Sequence, residues 1–126
     1  MDLARVRKEV AEAQREFSYV ECHPTTDGSL YVLIALQTSQ NSIYTLEIRF
    51  PDTYPNALPT VSSRKPAIHA SSPHRYTSGN LCYLHPTMWN PGRHTLTFVI
   101  ARIAKWLGKY EVWLATGTWP GAEIKH

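Results

Sequence analysis

Cysteine is the strongest side-chain nucleophile near neutral pH, and this chain carries two, Cys22 and Cys82. Cys22 follows Val20 in a short alternating segment and reads as a small buried core residue. Cys82 is different. It ends the run Ser72-Pro73-His74-Arg75-Tyr76-Thr77-Ser78-Gly79-Asn80-Leu81-Cys82, part of a stretch from His69 to Arg93 rich in Ser, Pro, Gly, Asn and His and without hydrophobic period. A connection of that length inside a compact domain is usually functional. A thiolate there could attack an activated carbonyl and hold the acyl group as a thioester. His74, in the same loop, could donate an N–H to the oxyanion or act as a base.

The charge pattern bears on the same residue. Between Thr53 and Tyr110 there is no Asp or Glu, while Arg64, Lys65, Arg75, Arg93, Arg102, Lys105 and Lys109 all lie there. The whole chain has a formal charge of +3 and a pI of about 9.0. A one-sided positive stretch can favour a thiolate at Cys82, attract an acidic partner or bind nucleic acid. No basic run or RNA-binding signature selects the last of these.

Competing chemistries are less well served. His69, His74, Cys82 and His85 could ligate zinc, but the CxxC or HxxxH pairing typical of such sites is absent. A Cys82/His74 hydrolase needs an orienting carboxylate, and after Asp52 only Glu111 and Glu123 remain to supply one. There is no phosphate-binding G-x-x-x-x-G-K-[ST] loop, so activation of a carboxylate falls to another protein and no cofactor is expected.

The positioning elements follow from periodicity. Leu3, Val6, Val10, Ala13 and Phe17 recur at helical steps, with Asp2 as N-cap. Val20 and Cys22 suggest a first strand. Leu30, Val32, Ile34 and Leu36 alternate with Tyr31, Leu33 and Ala35 in a second whose two faces both look covered. After a short polar turn, Tyr44, Leu46, Ile48 and Phe50 form a third, antiparallel to it, and Thr60-Val61-Ser62 a fourth. Leu96, Val99, Ile103, Leu107, Tyr110 and Leu114 return to a helical stripe, with Thr95 as cap and Gly108 as a possible break. The turn Thr116–Gly121 should fold Trp119 back onto the domain. The four tryptophans, with Tyr54 and Tyr76, read as core and loop anchors in so small a chain.

Three motifs together resemble one family. Phe50-Pro51-Asp52-Thr53-Tyr54-Pro55-Asn56-Ala57-Leu58-Pro59 resembles the FP..YP...P ledge shared by ubiquitin-conjugating enzymes and the non-catalytic RWD domains. The Cys82 loop is similar to the conjugating enzymes' His-Pro-Asn followed by Gly-x-Ile/Leu-Cys, and Trp89-Asn90-Pro91 matches their W-x-P. Here Ser72-Pro73-His74 replaces His-Pro-Asn, so His74 stands where the family's oxyanion-supporting asparagine would be. The tail, with Tyr110-Glu111, Trp113, Trp119, Glu123 and His126, resembles the stand-alone conjugating-enzyme-like proteins of cyclic-oligonucleotide anti-phage (CBASS) operons.

The resemblance implies an α+β ubiquitin-conjugating-enzyme-like fold over a single domain, residues 1–126, shortened at its C-terminal end. It implies a thioester at Cys82 assisted by His74, a docking surface including Tyr54, Pro55, Asn80 and Trp89, and no metal. The implied partner is a cGAS-like nucleotidyltransferase (CD-NTase) joined through its C-terminus, with no role for nucleic acid or membrane. An N-terminus dense in charge and the lack of a long apolar run predict a cytoplasmic protein. The alternative class is an RWD-like binding module that uses ledge and sheet only to dock a partner.

Overall fold

The structure is a computed structural model and describes residues 1–121. Its elements run α1 (Leu3–Glu16), β1 (Val20–Pro24), β2 (Leu30–Gln37), β3 (Ile43–Arg49), β4 (Thr60–Lys65) and α2 (Leu96–Thr116), with one 310 turn at Pro86–Met88. The strands form one antiparallel sheet in the order β1-β2-β3-β4. Register follows the alternation in the sequence: Val32 faces Ile48, and Ile34 faces Leu46, so the inward set meets across the strands. Asn41, in the left-handed region at φ 66°, makes the β2–β3 turn, a conformation its short polar side chain tolerates.

Helix α1 begins where its cap predicts, with the Asp2 carboxylate accepting from the Arg5 N–H at 3.1 Å. Its stripe Val6, Val10 and Ala13 joins Val32, Ile34, Leu46, Ile48 and Val61 of the sheet and Val99, Ile100, Ile103 and Leu107 of α2 in one buried cluster. The outward face of β2, expected to be largely covered, is partly so: Tyr31, Leu33 and Ala35 are half-buried. There the Tyr31 ring lies under the guanidinium groups of Arg49 (5.0 Å) and Arg64 (5.1 Å) and beside His23 (5.2 Å). Cys22 pairs with Val32 on the core side of the sheet, yet it is exposed rather than core. Val20 is the buried member of its strand; the period of two keeps Cys22 on the same face, but further along an edge strand where the core no longer covers it.

Helix α2 corrects two further expectations. It runs unbroken through Gly108, because the lost propensity of one glycine, about 1 kcal/mol, is small beside the apolar face buried on either side. Its stripe ends at Tyr110, and Leu114 is half exposed. The helix stops at Gly117, whose φ of 77° supplies the left-handed cap while its N–H donates to the Trp113 carbonyl at 2.7 Å. Trp119 does fold back. Its ring sits 5.3 Å from Trp106 and 4.8 Å from His74. Trp106 stacks in turn on Tyr110 (5.3 Å), which meets Tyr44 of β3 edge-on (6.4 Å). An aromatic column thus connects the sheet to the cysteine loop.

Candidate active site

The loop before Cys82 closes on itself as a small hairpin. Arg75 and Leu81 form an isolated antiparallel bridge. On one side of it the Tyr76 N–H donates to the Asn80 carbonyl at 2.9 Å, and on the other the Cys82 N–H donates to the His74 carbonyl at 2.9 Å. The ladder therefore sets His74 opposite Cys82 and Tyr76 opposite Asn80. The tip needs a left-handed residue and has Gly79 at φ 93°. Leu81 hangs the hairpin on the sheet by donating its N–H to the Val61 carbonyl at 2.8 Å.

His74 is itself left-handed, at φ 57°, a conformation uncommon for a residue with a side chain. Its surroundings hold it there. Its carbonyl accepts from both the Cys82 N–H and Trp106 Nε1 (3.2 Å), while its ring packs on Trp119. Such outliers persist where neighbouring contacts over-determine them, often at functional sites.

Cys82 is 1% exposed. Burial pushes its thiol above the ordinary range, and a hydrogen bond with the Tyr76 hydroxyl acts in the opposite direction. This corrects the expectation that the acid-free stretch favours a thiolate. Desolvation is the largest influence on the thiol and outweighs the hydrogen bond from Tyr76. Burial also raises the Tyr76 phenol, helped by its bond to Cys82. Tyr76, read from sequence as an anchor, thus touches the sulfur, which also donates to the Leu84 carbonyl at 3.9 Å. The alternation of the hairpin could have identified it, since Tyr76 lies diagonally across the bridge from Cys82.

The residues expected on a docking surface separate into two places. Asn80 is in the hairpin. Tyr54, Pro55 and Trp89 come together at the ledge, where Trp89 Nε1 donates to the Pro55 carbonyl at 2.8 Å. Tyr54 and Trp89 are internal, as their core reading expects, and the Tyr54 hydroxyl donates to Glu9 Oε1 at 2.5 Å. Tyr83 joins the two places, following Cys82 in the chain and donating its hydroxyl to the Pro59 carbonyl at 2.6 Å.

Other candidates are occupied elsewhere. Glu111 is buried and accepts from the Tyr44 hydroxyl at 3.2 Å. His69 donates its backbone N–H to the Tyr110 hydroxyl at 2.8 Å, and His85 Nδ1 accepts from the Thr87 N–H at 3.2 Å. Glu123 and His126 lie outside the described residues. Among the described residues no group of three or more His, Cys, Asp or Glu side chains is spaced to hold a metal ion. No helix among them is long and apolar enough to cross a membrane.

A helix, a four-stranded antiparallel meander, a proline ledge, a cysteine hairpin and a closing helix define a ubiquitin-conjugating-enzyme fold. Solved structures bear this out. Human ubiquitin-conjugating enzyme E2 G1 superposes with a TM-score of 0.57 at 21% identity, over 81% of this chain and 90% of that one. The yeast Vps23 UEV domain, solved with a Vps27 PSDP peptide, superposes with a TM-score of 0.60 at 14% identity, over 98% of this chain and 86% of that one. No curated protein sequence matches the chain. The family model for type II CBASS E2 proteins matches residues 9–126, and the chain belongs to that family.

Proposed function

We propose that this protein is an acyl carrier in which Cys82 takes the C-terminus of a partner protein, a cGAS-like nucleotidyltransferase of CBASS anti-phage signalling, as a thioester. The observation that carries the reading is the hairpin around Cys82. Within a conjugating-enzyme fold, it brings the one loop thiol against a phenol donor and opposite a histidine held in an unusual backbone conformation. Cys82 gives its thiol proton to water, Sγ attacks the activated carbonyl carbon, and the activating group leaves with the electron pair of the bond that breaks. The Tyr76 hydroxyl stabilises the sulfur as its charge develops. His74 supplies an N–H to the tetrahedral oxyanion.

Co-expression with the partner, followed by non-reducing electrophoresis, should show one covalent species that a thiol reductant releases. His74→Ala should slow its formation about 10²-fold, as loss of one oxyanion donor commonly does. His74→Asn should recover most of that loss, because asparagine tolerates φ near 57° and offers an amide donor. Unchanged kinetics in His74→Ala would remove the imidazole from the mechanism.

Tyr76 gives a pH-dependent test. The measurement needs a Cys22→Ser background, since exposed Cys22 would alkylate first. Iodoacetamide reacts with the thiolate, so with the Cys82 thiol raised by burial the rate should still be climbing above the ordinary cysteine range. Tyr76→Phe removes the hydroxyl that favours the thiolate. The profile should move further alkaline, with the rate at fixed pH falling about tenfold, the size expected for a hydrogen bond to a charged group. Faster alkylation would make Tyr76 only a cover.

A second reading has a specific observation behind it. Cys82 is almost wholly buried and the Vps23 UEV domain, of a non-catalytic class, shares the fold, which is what a binding module without acyl chemistry would present. Absence of any covalent species would favour it.

A further inference from the structure

Helix α2 carries a row of cations beside the cysteine hairpin. Arg102, Lys105 and Lys109 fall at three- and four-residue steps and so share one face, spanning about 10 Å at 1.5 Å per residue. With Tyr83, Trp106 and Trp119 they line a shallow depression. Two hydrogen bonds fix this depression to the site: Arg102 Nε donates to the Tyr83 carbonyl at 3.1 Å, and Trp106 Nε1 to the His74 carbonyl at 3.2 Å. Both anchors adjoin Cys82: Tyr83 follows it in the chain, and the His74 carbonyl accepts its N–H.

These cations have no carboxylate partner among the described residues. The ion pairs there join Arg5 to Glu9, His23 to Glu21, and Arg49 and Arg64 to Glu47. Partial burial, with repulsion from Lys105 and Arg102, pushes the Lys109 ammonium below its ordinary range. Three mutually repelling charges, held beside aromatic walls, are complementary to a row of anions.

We propose that this row binds an acidic, extended segment of the partner protein just upstream of the carboxyl group delivered to Cys82. The inference rests on the acyl-carrier reading, because it is the thioester that makes a peptide terminus the natural occupant. An extended chain advances about 3.3 Å per residue, so the row matches about three residues of the donor. The aromatic walls would pack against the donor's backbone and side-chain stems.

The test uses the full chain and the variant Lys105→Glu/Lys109→Glu, whose sites lie outside the Cys82 hairpin. Fluorescein-labelled peptides carrying three consecutive glutamates or three glutamines, and a six-nucleotide oligothymidylate, serve as probes. The glutamate peptide should bind the unmodified protein at least tenfold tighter than the glutamine peptide at low salt. That preference should fade as salt is raised and vanish in the double variant. Tighter binding of the oligonucleotide than of the glutamate peptide would overturn the proposal, as would equal binding by the variant. Thioester formation with the whole partner at sub-saturating concentration should fall about tenfold or more in the variant, while iodoacetamide alkylation of Cys82 is unchanged. An adduct that forms equally fast in both proteins sinks this inference and leaves the carrier intact. Failure of the unmodified protein to form any adduct sinks the carrier, and with it the assignment of the row to its donor.

Discussion

Cys82→Ala should give no covalent species with the partner, and Cys82→Ser should convert a thiol-labile adduct into one that reductant leaves intact. Both outcomes follow from the chemistry of the atom at the end of the hairpin. A thioester is opened by added thiol through exchange, whereas an oxygen ester resists exchange and yields to alkaline hydroxylamine. Serine is the poorer nucleophile, so its adduct should accumulate more slowly. Neither substitution should unfold the protein, because the hydrogen bond holding residue 82 to His74 is made by its backbone N–H and survives both changes. Non-reducing gels, with mass spectrometry of the peptide carrying residue 82, read the result. The same species in Cys82→Ala would assign the linkage to another residue. Exposed Cys22 is the first to check, with Cys22→Ser as the decisive control.

The burial of Cys82 shapes how that reaction can proceed. A cysteine that is 1% exposed cannot meet a protein-sized donor until its cover moves, and one group against its sulfur is Tyr76, itself 38% exposed. Tyr76 projects from a hairpin of few residues whose tip is a left-handed glycine, so the motion required is local. The donor would then displace a phenol rather than open the core.

What the sequence revealed and what it concealed divide along a physical line. The strands, their register and the N-cap at Asp2 depend on spacing within a few residues, and those were legible. The fate of Cys22 was not, since a period of two puts it on the face of Val20 but does not say how far along an edge strand the core extends. Gly108 read as a break because propensity is local, while the helix persists through packing contributed by a distant sheet. The Cys82 loop declared itself by composition. Its thiol chemistry did not, because clustering of cations along the chain is a poor guide to their distance from a buried atom. The contact between Tyr76 and Cys82 required the hairpin to be recognised first.

Glu9 is the strongest case of a residue that sequence could not expose, and replacing it should cost more stability than any other polar substitution in α1. It is one of several acids in a charged helix, yet it is 3% exposed. Its carboxylate accepts from Arg5 Nε (2.5 Å), from the Tyr54 hydroxyl (2.5 Å) and from the N–H of Leu96 (2.7 Å), the first residue of α2. Thr95, at the N-cap of that helix, makes no side-chain capping bond. A carboxylate brought from α1 does the capping instead, favoured by the positive end of the helix. Arg5 Nη2 completes the joint by donating to the His94 carbonyl at 2.8 Å. One side chain therefore joins the first helix, the proline ledge through Tyr54, and the start of the helix that carries the cation row. In Glu9→Ala the Tyr54 hydroxyl, the Leu96 N–H and Arg5 Nε all lose their acceptor. Breaking a buried pair this way costs about 3–5 kcal/mol, a large part of the 5–15 kcal/mol typical of a folded domain. Glu9→Gln keeps an oxygen for one donor and should lose about half as much. The urea midpoint measures both, and a double-mutant cycle of Glu9→Gln with Tyr54→Phe should return a coupling of about 1 kcal/mol or more, as hydrogen-bonded neighbours do. Additive losses in that cycle, or a loss below about 1 kcal/mol in Glu9→Ala, would mean that water entering the cleft lined by Arg5, Lys8, Glu12 and Arg93 replaces the carboxylate. The joint between the ledge and α2 would then rest on apolar packing alone.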